Sequence, residues 1–140
     1  MEGMNRRTAI ALGLTVAAAS TASSQAKAAM YGADEGEPLT GEGFKGVRRV
    51  NLSERETMIP GFKKVVLIDL VFEPGGVFPV SPMPVAMICQ LLEGELQITN
   101  SGQEITVKRN DVWSCNEGGT EGATNPGSEA AVMRVARLEK

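Results

Sequence analysis

The chain has 140 residues, a formal net charge of −3 at pH 7 and no histidine. Its length suits a single domain, and the lack of histidine excludes acid–base catalysis by an imidazole. The 14 Lys and Arg and 17 Asp and Glu residues form no basic patch or charge run. This pattern argues against nucleic acid and an anionic membrane surface as partners.

The first 28 residues have the layout of an export signal. Arg6 and Arg7 give a basic start, an apolar run covers residues 9–19, and Ala26 and Ala28 supply an A-x-A cleavage pattern. The paired arginines also resemble a twin-arginine signal, with an ordinary secretory signal as the alternative. We therefore predict that residues 1–28 are an export signal peptide. The mature protein is expected to be periplasmic or secreted, without a membrane anchor.

The remaining chain divides into an arm and one β domain. Residues 29–46 are rich in glycine and acidic residues, which predicts a flexible N-terminal arm. Residues 47–140 are predicted to be all-β, because aliphatic runs alternate with Gly, Pro and Asn turns. The predicted strands cover residues 47–52, 63–72, 85–92, 95–99, 104–107, 111–115 and 129–138. The second strand is expected to close at residues 74–76, and a helix is the alternative for the last one.

In the middle of the chain, two glycines frame three side chains at fixed intervals. Gly75, Ser81, Met83, Met87 and Gly94 are separated by five, one, three and six residues. This spacing resembles the first motif of the cupin superfamily, which runs Gly, five residues, His, one residue, His, three or four residues, Glu, six residues, Gly. The glycine frame is therefore kept, while the three metal-binding side chains are replaced.

The second cupin motif is matched less fully. It runs Gly, five residues, Pro, one residue, Gly, two residues, His, three residues, Asn. The corresponding residues here are Asn110, Asn116, Gly118, Glu121 and Asn125, of which the third and fifth match. The resemblance implies an all-β double-stranded β-helix, the cupin or jelly-roll barrel.

The replaced positions decide what the resemblance implies for a metal. Cupins that use a metal hold it with two His and one Glu from the first motif and one His from the second. This chain places Ser81, Met83, Met87 and Glu121 there. Common divalent ions in such sites prefer imidazole and carboxylate ligands. We therefore predict no metal and no cofactor.

A small-molecule ligand in an apolar, methionine-lined barrel is the first functional hypothesis. Strand alternation places Met87, Cys89 and Leu91 on one face, and methionine is a flexible filler of apolar space. Packing of that space without any ligand is the alternative. The residues predicted to contact the ligand are Phe78, Ser81, Met83, Met87, Cys89, Trp113 and Asn125.

Two other hypotheses involve chemistry or a soft metal. A metal-independent isomerase or lyase would use Glu121 as general acid and base, because burial raises a carboxyl pKa; the alternative places Glu121 in a solvated loop. Copper binding would use thioether and thiol groups. Its ligands would be Met83, Met87 and Cys89, with Cys115 or Met133.

Several other residues each have an expected role and an alternative one. Cys89 and Cys115 are expected as buried free thiols, with a disulfide as the alternative. Arg134 and Arg137 are expected at solvated or interface positions, with anion binding as the alternative. An exposed edge strand in so small a barrel favours a homodimer.

Overall fold

A computed structural model describes residues 30–140, so the predicted export signal over residues 1–28 lies outside the described part. The described residues are all-β, which confirms the predicted class. The strands are β1 (Glu37–Pro38), β2 (Lys45–Glu56), β3 (Lys64–Pro82), β4 (Ala86–Glu93), β5 (Glu95–Asn100), β6 (Gln103–Lys108), β7 (Val112–Cys115), β8 (Thr120–Thr124) and β9 (Ala131–Glu139). No helix within residues 30–140 is long and apolar enough to cross a membrane.

Strand β3 links two antiparallel sheets. Its first half, residues 64–72, pairs with β2 on one side and β9 on the other. Its second half pairs with β8 from Val77 onward. The first sheet therefore runs β1-β2-β3-β9-β4-β7 and the second runs β3-β8-β5-β6. Two antiparallel sheets joined by a shared bent strand are typical of a jelly roll.

The predicted end of this strand at residues 74–76 is wrong. The strand continues through the Pro-Gly-Gly stretch to Pro82. Gly75 has a φ of 75°, a conformation that glycine adopts without steric cost. The glycine therefore bends β3 between the sheets, where the sequence pattern alone indicated a turn that ends it.

Strand β8 was not predicted, although it is central to the second sheet. Its sequence, TEGAT, lies in a stretch of Gly, Glu and Asn that is typical of a loop. Pairing with β3 on one side and β5 on the other holds it as a strand. The alternative of a helix near the C-terminus is also wrong, because β9 pairs along its length with β3.

The hydrophobic core lies between the two sheets. Residues on the inward face of β3 alternate with residues on its outward face, and the same holds for β4 and β9. The core's largest fully buried side chains are Phe72, Leu91, Leu96, Ile98 and Val47. Val71 and Val132 are also fully buried, but they form a second cluster with Ala130, against which Tyr31 packs.

The first part of the segment predicted as an arm, residues 30–35, packs against the outward face of the first sheet. Residues 30–46 contain β1 and the first residues of β2. The hydroxyl of Tyr31 donates a hydrogen bond to the buried carboxylate of Asp69. Arg48 donates to the carbonyl of Gly32 at 3.1 Å and to that of Glu35. This part of the chain is therefore tied to the sheet by specific polar contacts.

Candidate functional site

A cavity of about 290 Å³ lies between the two sheets. The inward faces of β3 and β9 form one wall, and β8 forms the facing wall. Most of the lining is apolar, including Ile68, Leu70, Met133 and Val135. A concave, mostly apolar space with a few polar groups is the usual form of a small-molecule site.

The structure brings five of the eight predicted site residues to this cavity. They are Phe78, Ser81, Met83, Met87 and Glu121. Four of them occupy the positions at which metal-dependent cupins carry ligands. Ser81 and Glu121 are also directly opposed in the pairing of β3 with β8. The two sequence motifs therefore meet at one place in the fold.

The other three predicted residues do not line the cavity. Cys89 is 0% exposed and lies within the core. Trp113 stands behind Glu121 and donates its indole N–H to Oε1 of that carboxyl at 2.6 Å. Asn125 connects two backbone segments, because its side-chain amide donates to the backbone carbonyls of Phe72 at 3.1 Å and Glu129 at 2.8 Å.

Burial governs the electrostatics of Glu121. Its side chain lies in the wall of the cavity, and the residue is 5% exposed. Burial raises the pKa of this carboxyl above its ordinary value of 4.5, and the hydrogen bond from Trp113 partly opposes the effect. The carboxyl therefore holds its proton to a higher pH than a solvated glutamate, which is the property of a general acid.

Both cysteines are free and buried. Cys89 faces Trp113 across β4 and β7, and Cys115 faces Met87, so the two thiols are diagonal neighbours. Burial raises the pKa of each thiol, and the nearby Glu121 carboxyl adds to the effect. A raised pKa disfavours the thiolate, which is the form that binds metals and attacks electrophiles.

Sequence reasoning missed or undervalued several residues that line the cavity, and four of them come from unexpected places or carry charge. Among the described residues, Arg49 of β2 and Arg137 of β9 contribute the only guanidinium groups of the lining. Leu39 and Phe44 come from the segment predicted as a flexible arm. The ring of Phe44 meets that of Phe78 edge to face, with centroids 4.9 Å apart. Strand alternation was the available signal for the arginines, since Arg49 shares the inward face with Val47.

The residues at the cupin metal positions do not fit the usual metal. Glu121 supplies the only carboxylate, and one of its oxygens accepts the hydrogen bond from Trp113. Thioethers and one hydroxyl are poor ligands for Fe, Mn or Zn. Within residues 30–140, no group of three or more Cys, Asp or Glu side chains is arranged to hold a metal ion.

The backbone frame of both motifs is kept where it needs a positive φ. Gly94 has a φ of 76°, and an added Cβ would lie 2.9 Å from the carbonyl oxygen of Ala130. Asn110 stands at a glycine position of the second motif and has a φ of 74°. Asparagine tolerates this conformation better than most residues. The replacement at this position therefore preserves the turn.

Comparison with solved structures identifies the fold. An RmlC-like cupin from Shewanella frigidimarina NCIMB 400 has a TM-score of 0.58 at 15% identity, covering 83% of this chain and 95% of that one. The polyketide cyclase RemF from Streptomyces resistomycificus has a TM-score of 0.61 at 17% identity, covering 74% and 72%. The cupin domain of Schizosaccharomyces pombe Cnp3 has a TM-score of 0.57 at 16% identity, covering 69% and 66%.

No protein-family model and no curated protein matches the sequence. The structural likeness therefore shows the fold alone. The matched region spans just under two thirds of the Cnp3 chain. The chain has the cupin fold, and the resemblance indicated by its motif spacing is confirmed at that level.

Proposed function

We propose that this cupin-fold protein binds a small molecule in the cavity between its two sheets. The observation that carries the proposal is the convergence of Ser81, Met83, Met87 and Glu121 on one apolar cavity of about 290 Å³. That volume is close to the lower end of the range for ligand pockets, about 300–1,000 Å³. The ligand is therefore expected to be compact.

A thermal-shift screen of the purified protein tests this function. A ligand that binds the native state raises its melting temperature. Ala123 lines the cavity, so Ala123→Leu narrows it and should abolish the shifts. Ala136 is outside the cavity lining, so Ala136→Leu is the matched control and should preserve them. Hits that respond equally to both substitutions would place binding elsewhere and contradict the proposal.

Metal-independent catalysis by Glu121 is the second candidate function. The observation that favours it is a buried carboxyl of raised pKa in the cavity wall, held by Trp113 and opposed to Ser81. A general acid or base of an isomerase or lyase requires a carboxyl of this kind. The same fold carries a named cyclase, RemF, so catalysis is compatible with it.

Replacement of Glu121 by Gln separates binding from catalysis. Each screening hit is incubated with the protein, and its conversion is followed by mass spectrometry. Turnover that is lost in Glu121→Gln while the thermal shift persists identifies an enzyme. If no hit is converted by the unchanged protein, or if Glu121→Gln converts it equally well, Glu121 is not a catalytic residue.

Copper binding through sulfur ligands is the weakest of the three hypotheses. Met87 and Cys115 are cross-strand neighbours, and Cys89 lies diagonally from Cys115. Copper binding would require two thiols with raised pKa to lose their protons. Elemental analysis of the purified protein decides the matter, because stoichiometric copper would replace the small-molecule proposal.

We propose that the protein works outside the cytoplasm as a homodimer. Export rests on the signal predicted over residues 1–28. Amino-terminal sequencing of protein from a periplasmic fraction should find a start near Ala29, and an intact Met1 there would contradict cleavage. Light scattering coupled to size-exclusion chromatography tests the dimer, since a monomer mass at working concentration would exclude it.

A further inference from the structure

We propose that the cavity takes an organic anion: a small molecule with an apolar body and a carboxylate that pairs with the guanidinium groups of Arg49 and Arg137. This inference rests on the proposed small-molecule function and names the chemical class of its ligand.

The cavity wall is cationic, although the whole chain has a net charge of −3. Three ionisable side chains line it: Arg49 and Arg137 from the first sheet, and Glu121 from β8 of the second. Two guanidinium groups therefore face one carboxyl. Over these three lining groups the wall carries more positive than negative charge even when Glu121 is ionised, and an anion is the complementary ligand. The carboxylates of Glu37 and Glu139, which pair with the two arginines, lie outside the lining.

Each arginine has one long ion pair within the described residues. Arg49 lies 3.8 Å from the carboxylate of Glu37, which is 79% exposed. Arg137 lies 3.4 Å from Glu139, and Lys64 approaches the same carboxylate at 3.7 Å. Such long, partly exposed pairs contribute little and are readily rearranged. Both guanidinium groups are therefore able to accept a better-placed anion.

The side chain of Arg49 also has an unused donor. Its Nε is buried and has no hydrogen-bond partner among residues 30–140. Burying a donor without a partner costs free energy. A hydrogen bond from this Nε to a ligand oxygen would therefore stabilise the complex more than the same hydrogen bond from a solvated arginine. The planar guanidinium presents donors in a fork that matches a carboxylate.

Arg134 shows how a guanidinium with a structural role is paired in this chain. It lies three residues before Arg137 on the same strand, on the opposite face. Its Nε and one terminal nitrogen each donate to Asp69 at 2.9 Å. The inward-facing arginines have no such bidentate partner within the described residues, which distinguishes a structural ion pair from an open site.

The surface around the two arginines selects the rest of the ligand. Ile68, Leu70, Met87 and Val135 line the cavity beside them. An inorganic anion such as phosphate would leave this apolar surface unused, whereas an apolar chain or ring would bury it at a gain of about 25 cal/mol per Å². The combination therefore favours an amphipathic carboxylate.

The test compares matched charged and neutral probes by isothermal titration calorimetry at neutral pH and low salt. Octanoate and benzoate are the carboxylate probes, and octanamide and benzamide are their neutral counterparts. At least one carboxylate is expected to bind ten-fold or more tightly than its amide. Arg49→Gln and Arg137→Gln should each weaken that carboxylate about ten-fold and leave the amide unchanged. Arg109→Gln removes the same charge from an exposed turn and should change neither affinity.

The outcomes separate the ligand class from the binding function. Equal affinity for a carboxylate and its amide, or carboxylate affinity that survives both cavity substitutions, would overturn the anion proposal while small-molecule binding stands. Absence of binding by all four probes also overturns it. The proposed function then fails separately if no compound of the wider screen gives a shift that Ala123→Leu abolishes. Circular dichroism of each variant confirms that it is folded.

Discussion

The two faces of the first sheet use the same residue types for different purposes. On the outward face, Arg134 binds the fully buried Asp69 with two hydrogen bonds of 2.9 Å. On the inward face, Arg49 and Arg137 have only looser ion pairs, at 3.8 Å and 3.4 Å. Strand alternation separates the two sets, because Arg48 and Arg49 are adjacent on β2 and Arg134 and Arg137 are three residues apart on β9. The face of the sheet on which an arginine lies therefore decides whether its guanidinium has a structural partner or can bind a ligand.

The covering of each face explains the difference. The outward face is covered by residues 30–35, where Tyr31 donates to Asp69 and the carbonyl of Gly32 accepts from Arg48. Most polar groups beneath a covering segment find partners within the chain, although Nε of Arg48 has none among residues 30–140. The inward face borders a cavity, so its polar groups have space beside them that a ligand can occupy.

The largest expected effect is on the outward face. Arg134→Gln should lower the free energy of unfolding by about 3–5 kcal/mol, because it leaves the charge of Asp69 buried without its ion-pair partner. Urea unfolding followed by circular dichroism measures the change. Arg137→Gln on the same strand is the matched control. A comparable loss in both variants would remove the distinction between the two faces.

A smaller effect is expected at the cavity carboxyl and depends on pH. Because burial raises the pKa of Glu121 in the folded state, its protonated form favours folding. That stability is fully present below the unfolded pKa near 4.5 and is lost as pH rises through the raised folded pKa. The stability of Glu121→Gln should not show this pH dependence. At alkaline pH, its free energy of unfolding should be higher than that of the unchanged protein by about 1–3 kcal/mol. Parallel stability curves for the two proteins would show that Glu121 is solvated.

Tyr31 tests whether the covering segment is bound to the sheet. Burial, and then its hydrogen bond to Asp69, raise the pKa of this phenol from 10.0 to about 12. The chain has one tyrosine, so the ultraviolet absorbance of tyrosinate reports on it alone. Asp69→Asn should lower the phenol pKa toward its ordinary value. Tyr31→Phe should cost about 1 kcal/mol of unfolding free energy. Titration near 10 in the unchanged protein would mean that the segment is detached.

The smallest expected effect on stability is at the inward-facing arginines. Arg49→Gln and Arg137→Gln should each change the free energy of unfolding by less than about 1 kcal/mol, because loose, partly exposed ion pairs contribute little. Calorimetric unfolding without added ligand measures this. Losses above that size would mean that these side chains support the fold. Affinity for the amide probes would then show how much of the weakened ligand binding comes from lost stability.

Part of the site could be predicted from motif spacing and part could not. Counting from Gly75 identified Ser81, Met83 and Met87, and the structure places all three at the cavity. Counting along the second motif from Asn110 identified Asn125, whose amide instead donates to the backbone carbonyls of Phe72 and Glu129. Spacing locates a residue along a motif, but the direction of its side chain depends on neighbours that are distant in sequence.

The sequence by itself determined the all-β class and most of the strands, the glycine frame of the fold and the absence of imidazole chemistry. These depend on local preferences: period-two alternation, turn residues and the identity of the side chains. Tertiary structure alone decided that TEGAT is a central strand, because β3 and β5 supply its hydrogen bonds on both sides. It also decided which arginines are paired and which line the cavity. That distinction depends on what covers each face, and the covering residues are remote along the chain.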